Sequence, residues 1–284
     1  MRPPTAAERR AAEVNATRPL RPPPDPDAER AKIEARTPVT WTDEGALHRE
    51  AARATGRAGA PTRTSAVRRR RSVGPETASA ISAEVPDQRR AATLTEQLGQ
   101  AYAALDRERF DDARRLGTAL LRQLPRVAAV HEVVGLAAYR TGRWRQALTE
   151  LELAQTLEPS VELLPVLADV HRALGHWSDV ERIWSEVRGA SPTPEVMAEA
   201  RVVAAGALAD RGDLPGALRT MERARTGPTE TKRVRDHHLR QWYVLGDLND
   251  RAGDPIEATR WFEVVARHDP DFVDVAQRLR ALGR

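Results

Sequence analysis

The 284-residue chain contains no cysteine. That absence excludes disulfides, thiolate nucleophiles and Cys-ligated zinc together. Lysine is nearly missing as well, with only Lys32 and Lys232, so almost all basic charge is arginine. No run of 18 or more apolar residues exists, so no membrane-spanning helix is expected. The opening "MRPPTAAERR" has no apolar stretch, so no secretory signal is expected, and the sequence reads as cytoplasmic. The phosphate-loop, dinucleotide-binding and nucleophile-elbow patterns are all absent. No cofactor is therefore expected.

What is present is unevenly spread. Residues 1–85 carry 16 Arg/Lys against 11 Asp/Glu, whereas residues 86–284 carry 29 against 30. The first 86 residues hold 11 of the 20 prolines and a single aromatic, Trp41. Such a segment buries too little apolar surface to offset the entropy of ordering, and it reads as a disordered Pro/Arg-rich tail over 1–86. Within it, "RPLRPPPDPD" (18–27) favours extended polyproline geometry. The stretch 51–74 carries seven Arg and no acid, the mark of a solvated interaction tail. "PETASAISAEV" (75–85) reads as a short helix with Pro at its first position.

From Asp87 onward apolar residues recur at helical spacing, and the body 87–284 is expected to be all-α. Four glycines separate apolar segments: Gly142, Gly175, Gly212 and Gly253, at spacings of 33, 37 and 41. Five residues after each stands a compact residue, Ala147, Val180, Ala217 or Ala258. Seven residues before each stands another, Gly135, Ala168, Ala205 or Gly246. The pattern predicts antiparallel helix pairs that cross closely, with Gly135 facing Ala147 and the separating glycine in a left-handed turn. Trp144, Trp177 and Leu214 open the second helices, and Leu151, Trp184, Met221 and Phe262 lie further along them as filling residues. Pro125, Pro159, Pro192 and Pro270 close units, and Pro228 does so one residue early.

A period near 34 residues with these positions resembles the tetratricopeptide repeat. The resemblance implies an α-solenoid of about five helix-turn-helix repeats, near 94–127, 128–160, 161–194, 198–229 and 239–270. A capping helix over 271–282 follows, with an apolar stripe of Phe272, Val275, Ala276, Leu279 and Leu282. The first unit departs from the pattern, with Glu108 at the turn position and Gly117 where a bulky residue is usual. The fourth ends in a polar insertion, "TETKRVRDHH". The body is also similar to actinobacterial tetratricopeptide proteins with a basic N-terminus, a likeness that implies no particular activity.

Candidate metal and catalytic groups are few. "DHH" (236–238) places adjacent histidines on different helix faces, which favours a capping or partly buried pair over ligands. His171 and His176, five apart across Gly175, match no common helical metal-binding spacing. No catalytic, cofactor-binding or metal residue is assigned, and no enzyme activity is expected.

The resemblance also implies that the first helices line a concave groove. Carried onto this chain, groove positions are Glu132, Tyr139 and Arg140; Glu162, Asp169 and Arg172; Glu199, Val202 and Asp210; Arg240, Tyr243, Asp247, Asp250 and Arg251. Leu98, Tyr102 and Asp106 come from the first unit. Acids outnumber bases there by eight to four. The clamp for a C-terminal carboxylate needs Lys and Asn where this chain has Glu132/Leu136 and Pro165/Asp169, so that ligand is disfavoured. The expected function is a non-enzymatic scaffold that binds a protein or peptide in the groove. Residues 41–74 are expected to occupy an acidic groove in cis, with Trp41 as an anchor or merely solvated. The alternative is a nucleic-acid- or ribosome-associated protein, weakly held through phosphate contacts of Arg63, Arg68, Arg69, Arg70 and Arg71. No membrane partner is expected.

Overall fold

The computed structural model describes residues 25–36, 73–225 and 234–283. Trp41, Arg63, Arg68, Arg69, Arg70 and Arg71 lie outside them, as do residues 229–233, the first half of the polar insertion after the fourth unit. The described residues form helices and turns, with no strand among them. Among the described residues two helices precede the repeats, α1 (Pro26–Arg36) and α2 (Pro75–Glu84). The five pairs are α3 (Gln88–Asp106) with α4 (Phe110–Leu121), α5 (Ala128–Arg140) with α6 (Trp144–Leu157), α7 (Leu164–Ala173) with α8 (Trp177–Ala190), α9 (Pro194–Asp210) with α10 (Leu214–Thr220) and its short continuation α11 (Glu222–Arg225), and α12 (Asp236–Arg251) with α13 (Pro255–His268). α14 (Val275–Ala281) closes the array. Each second helix packs on its own partner and on the first helix of the next unit, from α4·α5 through α10·α12, which makes the array a solenoid.

One turn joins all five pairs. Its left-handed residue is Glu108, Gly142, Gly175, Gly212 or Gly253, with φ of 61°, 70°, 74°, 85° and 80°. The amide of the following residue returns to a carbonyl five positions back. The pairs are Arg109 to Ala104, Arg143 to Ala138, His176 to His171, Asp213 to Leu208 and Asp254 to Asn249, all at 2.9 Å. The first helix thereby spends otherwise unsatisfied carbonyls on closing the turn. Glu108 occupies the glycine position of the irregular first unit, so the turn forms there without glycine. Asp213 and Asp254 then cap the next helix by accepting from the amides of Gly216 and Glu257.

The close crossing is built differently from the expected small-on-small contact. A Cβ on Gly135 would lie 2.7 Å from side-chain atoms of Leu151, and one on Gly246 would lie 2.7 Å from Phe262. The first helix thus provides a hole for a large residue of the second, rather than meeting Ala147 or Ala258. Both alanines are fully buried beside it. Gly117 is explained in the same way, since a Cβ there would come within 2.6 Å of Val134 on the next unit's first helix.

The core runs the length of the array in two parts that meet within α9. Ala200, Val203 and Ala207 belong to the N-terminal part, Ala205 and Ala209 to the C-terminal part. Burial on both sides accounts for the nearly continuous apolar run of α9. At the C-terminus Phe272 and Val275 are buried and Leu279 and Leu282 pack against the core, whereas Ala276 is exposed and lies off the stripe. At the other end the packed body begins before Asp87. Ile81 on α2 is fully buried in the core over α3. α1 packs on α6, with Pro26 and Ile33 buried. One well-placed apolar residue suffices for α2 because the open end of the first unit offers it a ready-made surface.

Candidate functional site

α7, α9 and α12 pack on one another in order, and the polar residues on the first helices bond from each unit to the next. The hydroxyl of Tyr139 donates to Asp169 at 2.7 Å. Arg172 donates forward to Asp210 at 2.7 Å and back to Asp169 at 3.4 Å. Arg240 donates to Glu199 at 2.6 Å. Arg278, on α14, donates to Asp247 at 2.6 Å and stands 3.2 Å from Asp250. Arg251 donates to the carbonyl of Ala209 at 2.9 Å. Tyr243 donates to Asp274. These bonds cross four successive boundaries, from the second unit to the capping helix.

The row is partly dry, and its electrostatics follow. Burial, helped by the neighbouring Asp169, pushes the Tyr139 hydroxyl well above its ordinary value. Burial raises the Glu199 carboxyl despite the Arg240 guanidinium beside it. It likewise raises Asp247 despite Arg278. Burial opposes the charge on Arg172, but Asp169 and Asp210 outweigh it and strengthen the hold on its proton.

The expected open acidic groove is therefore largely closed by its own pairs. Leu98, Tyr102, Tyr243 and Asp247 are buried, and the Tyr102 hydroxyl donates to the carbonyl of Ala129. Val202 packs against the core. Glu132 is half-buried; Arg140 is too, with its guanidinium 4.6 Å over the Phe110 ring. Asp106 and Glu162 are exposed, and Glu162 accepts from the Ser160 hydroxyl. Arg278 and Asp274, which complete the row, fall outside the repeat register and carried no signal in it.

Two further polar clusters sit off the row. Glu150, on α6, accepts from Arg30 of α1 at 2.9 Å and faces His131 Nδ1 at 2.7 Å. Burial would raise its carboxyl, but the hydrogen bonds from His131 and Arg30 prevail and hold it below the usual range. His131 Nε2 faces the Pro125 carbonyl at 2.9 Å. Both ring nitrogens thus meet acceptors, the arrangement of an imidazolium–carboxylate pair. At the third turn, His171, His176 and Asp179 bring three donor atoms within 4.8 Å of one another, the one such grouping among the described residues. The "DHH" pair does otherwise: His237 is buried, and His238 Nδ1 accepts from the amide of Arg235 at the start of α12.

A recurring helix-turn-helix unit, stacked through both helices and capped at each end, defines an α-solenoid repeat protein. Residues 98–160, nearly all of the first two units, match the family model for the tetratricopeptide repeat. The fold is an all-α tetratricopeptide solenoid. No curated protein and no solved structure matches the chain. No helix among the described residues is long and apolar enough to cross a membrane.

Proposed function

We propose that the protein is a non-enzymatic scaffold that holds a segment of another protein along the first-helix row. Tetratricopeptide arrays generally mediate protein–protein contact. The supporting observation is the row itself, whose inter-unit bonds hold polar side chains in set orientations over four boundaries. A surface ordered beforehand loses less freedom when a partner binds. Because Arg172, Arg240, Arg251 and Arg278 already neutralise its acids, the row favours a segment of mixed charge over an Arg-rich one. An Arg-rich stretch such as residues 63–71 would have to displace arginines already paired with those acids to gain contact there.

The test uses full-length chain and the double variant Arg140→Glu/Glu162→Arg, which leaves the inter-unit hydrogen bonds in place and changes an exposed acid and a half-buried arginine that lies over Phe110. Partners recovered from the native cell are purified and titrated against both. Direct binding is expected to weaken by at least about tenfold, roughly 1.4 kcal/mol. Equal binding to both forms by every recovered partner removes the row as the binding surface.

A further inference from the structure

Five turns share one backbone geometry, and their side chains differ. The residues joined across the turn are Ala104/Arg109, Ala138/Arg143, His171/His176, Leu208/Asp213 and Asn249/Asp254. Three positions further on stand Asp112, Gln146, Asp179, Gly216 and Glu257. Only the third unit brings two imidazoles and a carboxylate together. We propose that this turn is a transition-metal site, best matched to Zn2+, with His171 Nδ1, His176 Nδ1 and the Asp179 carboxylate as ligands.

The distances carry the proposal. The two Nδ1 atoms face each other at 3.3 Å. Tetrahedral zinc with nitrogen ligands at about 2.0–2.1 Å sets those ligands about 3.3 Å apart. Without an ion the same separation is spanned by an N–H···N hydrogen bond between the two rings, which metal binding would replace. His171 is 2% exposed, so its ring is fixed by packing. Its other nitrogen, Nε2, has no hydrogen-bond partner and lies 3.4 Å from a carboxylate oxygen of Glu152. A proton on Nε2 directed toward Glu152 leaves the Nδ1 lone pair for the metal, the carboxylate–histidine–metal relay that orients many such ligands. Asp179 is part-exposed and lies in the first turn of α8, so rotation of its side chain brings an oxygen in. Arg182 engages Oδ1 of Asp179 at 3.1 Å and leaves the second oxygen for coordination.

The spacing H-x4-H-x2-D belongs to no single helix. It works because Gly175, at φ 74°, reverses the chain between the two histidines. Three protein ligands leave a fourth position for water or a partner's side chain. A bound ion would tie the end of α7 to the start of α8.

The experiment titrates metal-stripped full-length protein with Co2+, then displaces it with Zn2+. Wild type is expected to take up one equivalent with the intense visible bands of four-coordinate cobalt, and Zn2+ is expected to raise Tm. His176→Gln and Asp179→Asn, checked for unchanged far-UV circular dichroism, are expected to bind at least about tenfold more weakly. His238→Gln, at the other histidine pair, is expected to bind as wild type does. The absence of saturable one-equivalent binding overturns the proposal. So does His176→Gln binding as tightly as wild type, or His238→Gln losing the site equally.

Discussion

The guanidinium of Arg172 lies directly against the backbone of Gly206. A Cβ at Gly206 would sit 2.6 Å from Arg172 Cζ. Arg172 comes from α7 and Gly206 from the middle of α9, so this glycine gives the arginine its path to Asp210. Alanine in place of glycine within a helix is worth about 1 kcal/mol by propensity alone. Gly206→Ala is therefore expected to stabilise an Arg172→Ala background by about that amount, and to stabilise wild type by less or to destabilise it. Urea unfolding of the four proteins measures the difference. Equal effects in both backgrounds would show that Gly206 does not serve Arg172.

The buried pair between His131 and Glu150 makes a second prediction. Removing one member of a buried ion pair strands the other and costs about 3 kcal/mol or more, whereas replacing both with apolar residues costs far less. Glu150→Gln is expected to destabilise more than the double replacement His131→Leu/Glu150→Leu, even though the double changes more atoms. Arg30 is a third exposed and is able to turn to water. Arg30→Ala is accordingly expected to cost less than about 1 kcal/mol, and to make residues 25–36 cleave faster in limited proteolysis. A single replacement that is milder than the double would discount the charged pair.

Glu108 and Gly212 test the shared turn. A non-glycine residue in left-handed geometry carries a penalty of about 1–2 kcal/mol. Glu108, exposed and at φ 61°, bears it. Glu108→Gly is expected to stabilise by roughly 0.5–1 kcal/mol, because the extra freedom of glycine in the unfolded chain takes back part of the gain. Gly212 has open space around it, so Gly212→Ala is expected to cost about 1 kcal/mol from conformation alone. Thermal melts that rank these two changes in the opposite order would contradict the turn assignment.

Acidification should act first through histidines. Burial lowers both His237 and His238 from the ordinary 6.5; the His238 ring and the Arg235 charge add to this at His237 against Glu195 and Asp236, and the Arg235 charge adds to it at His238 against the Arg235 backbone hydrogen bond and Glu195. Below 6.5 the unfolded chain takes up protons that the folded state resists. Stability is thus intact above that value and falls as pH drops toward the lowered values. The variant His237→Gln/His238→Gln is expected to lose less stability than wild type between pH 7.5 and pH 5, the span that brackets that onset. Parallel losses in the two proteins would exclude these histidines as the cause.

The repeat was legible because its requirements are local. Gly142, Gly175, Gly212 and Gly253 were readable as left-handed turns, since a reversal after a helix favours glycine wherever it occurs. Helix class, pair spacing and the core placement of Leu151, Met221 and Phe262 follow from the same periodicity. The candidate site was legible only as a list of positions. Nothing in the spacing showed that Arg172 would span to Asp210, or that Arg278 would reach back from the capping helix to Asp247. Side-chain reach across a unit boundary depends on how far neighbouring helices are offset, and that is set by packing.

By itself, then, the sequence determined the all-α class and the repeating turn, because these depend on residues a few positions apart. The tertiary structure decided that most groove acids are bonded by arginine or tyrosine side chains, that Gly135 receives Leu151, and that Ile81 and Arg30 bring α2 and α1 into the body. It also decided that His171 and His176 face one another. Each of these joins elements whose relative placement arises only when the whole array packs, so no local pattern could record it.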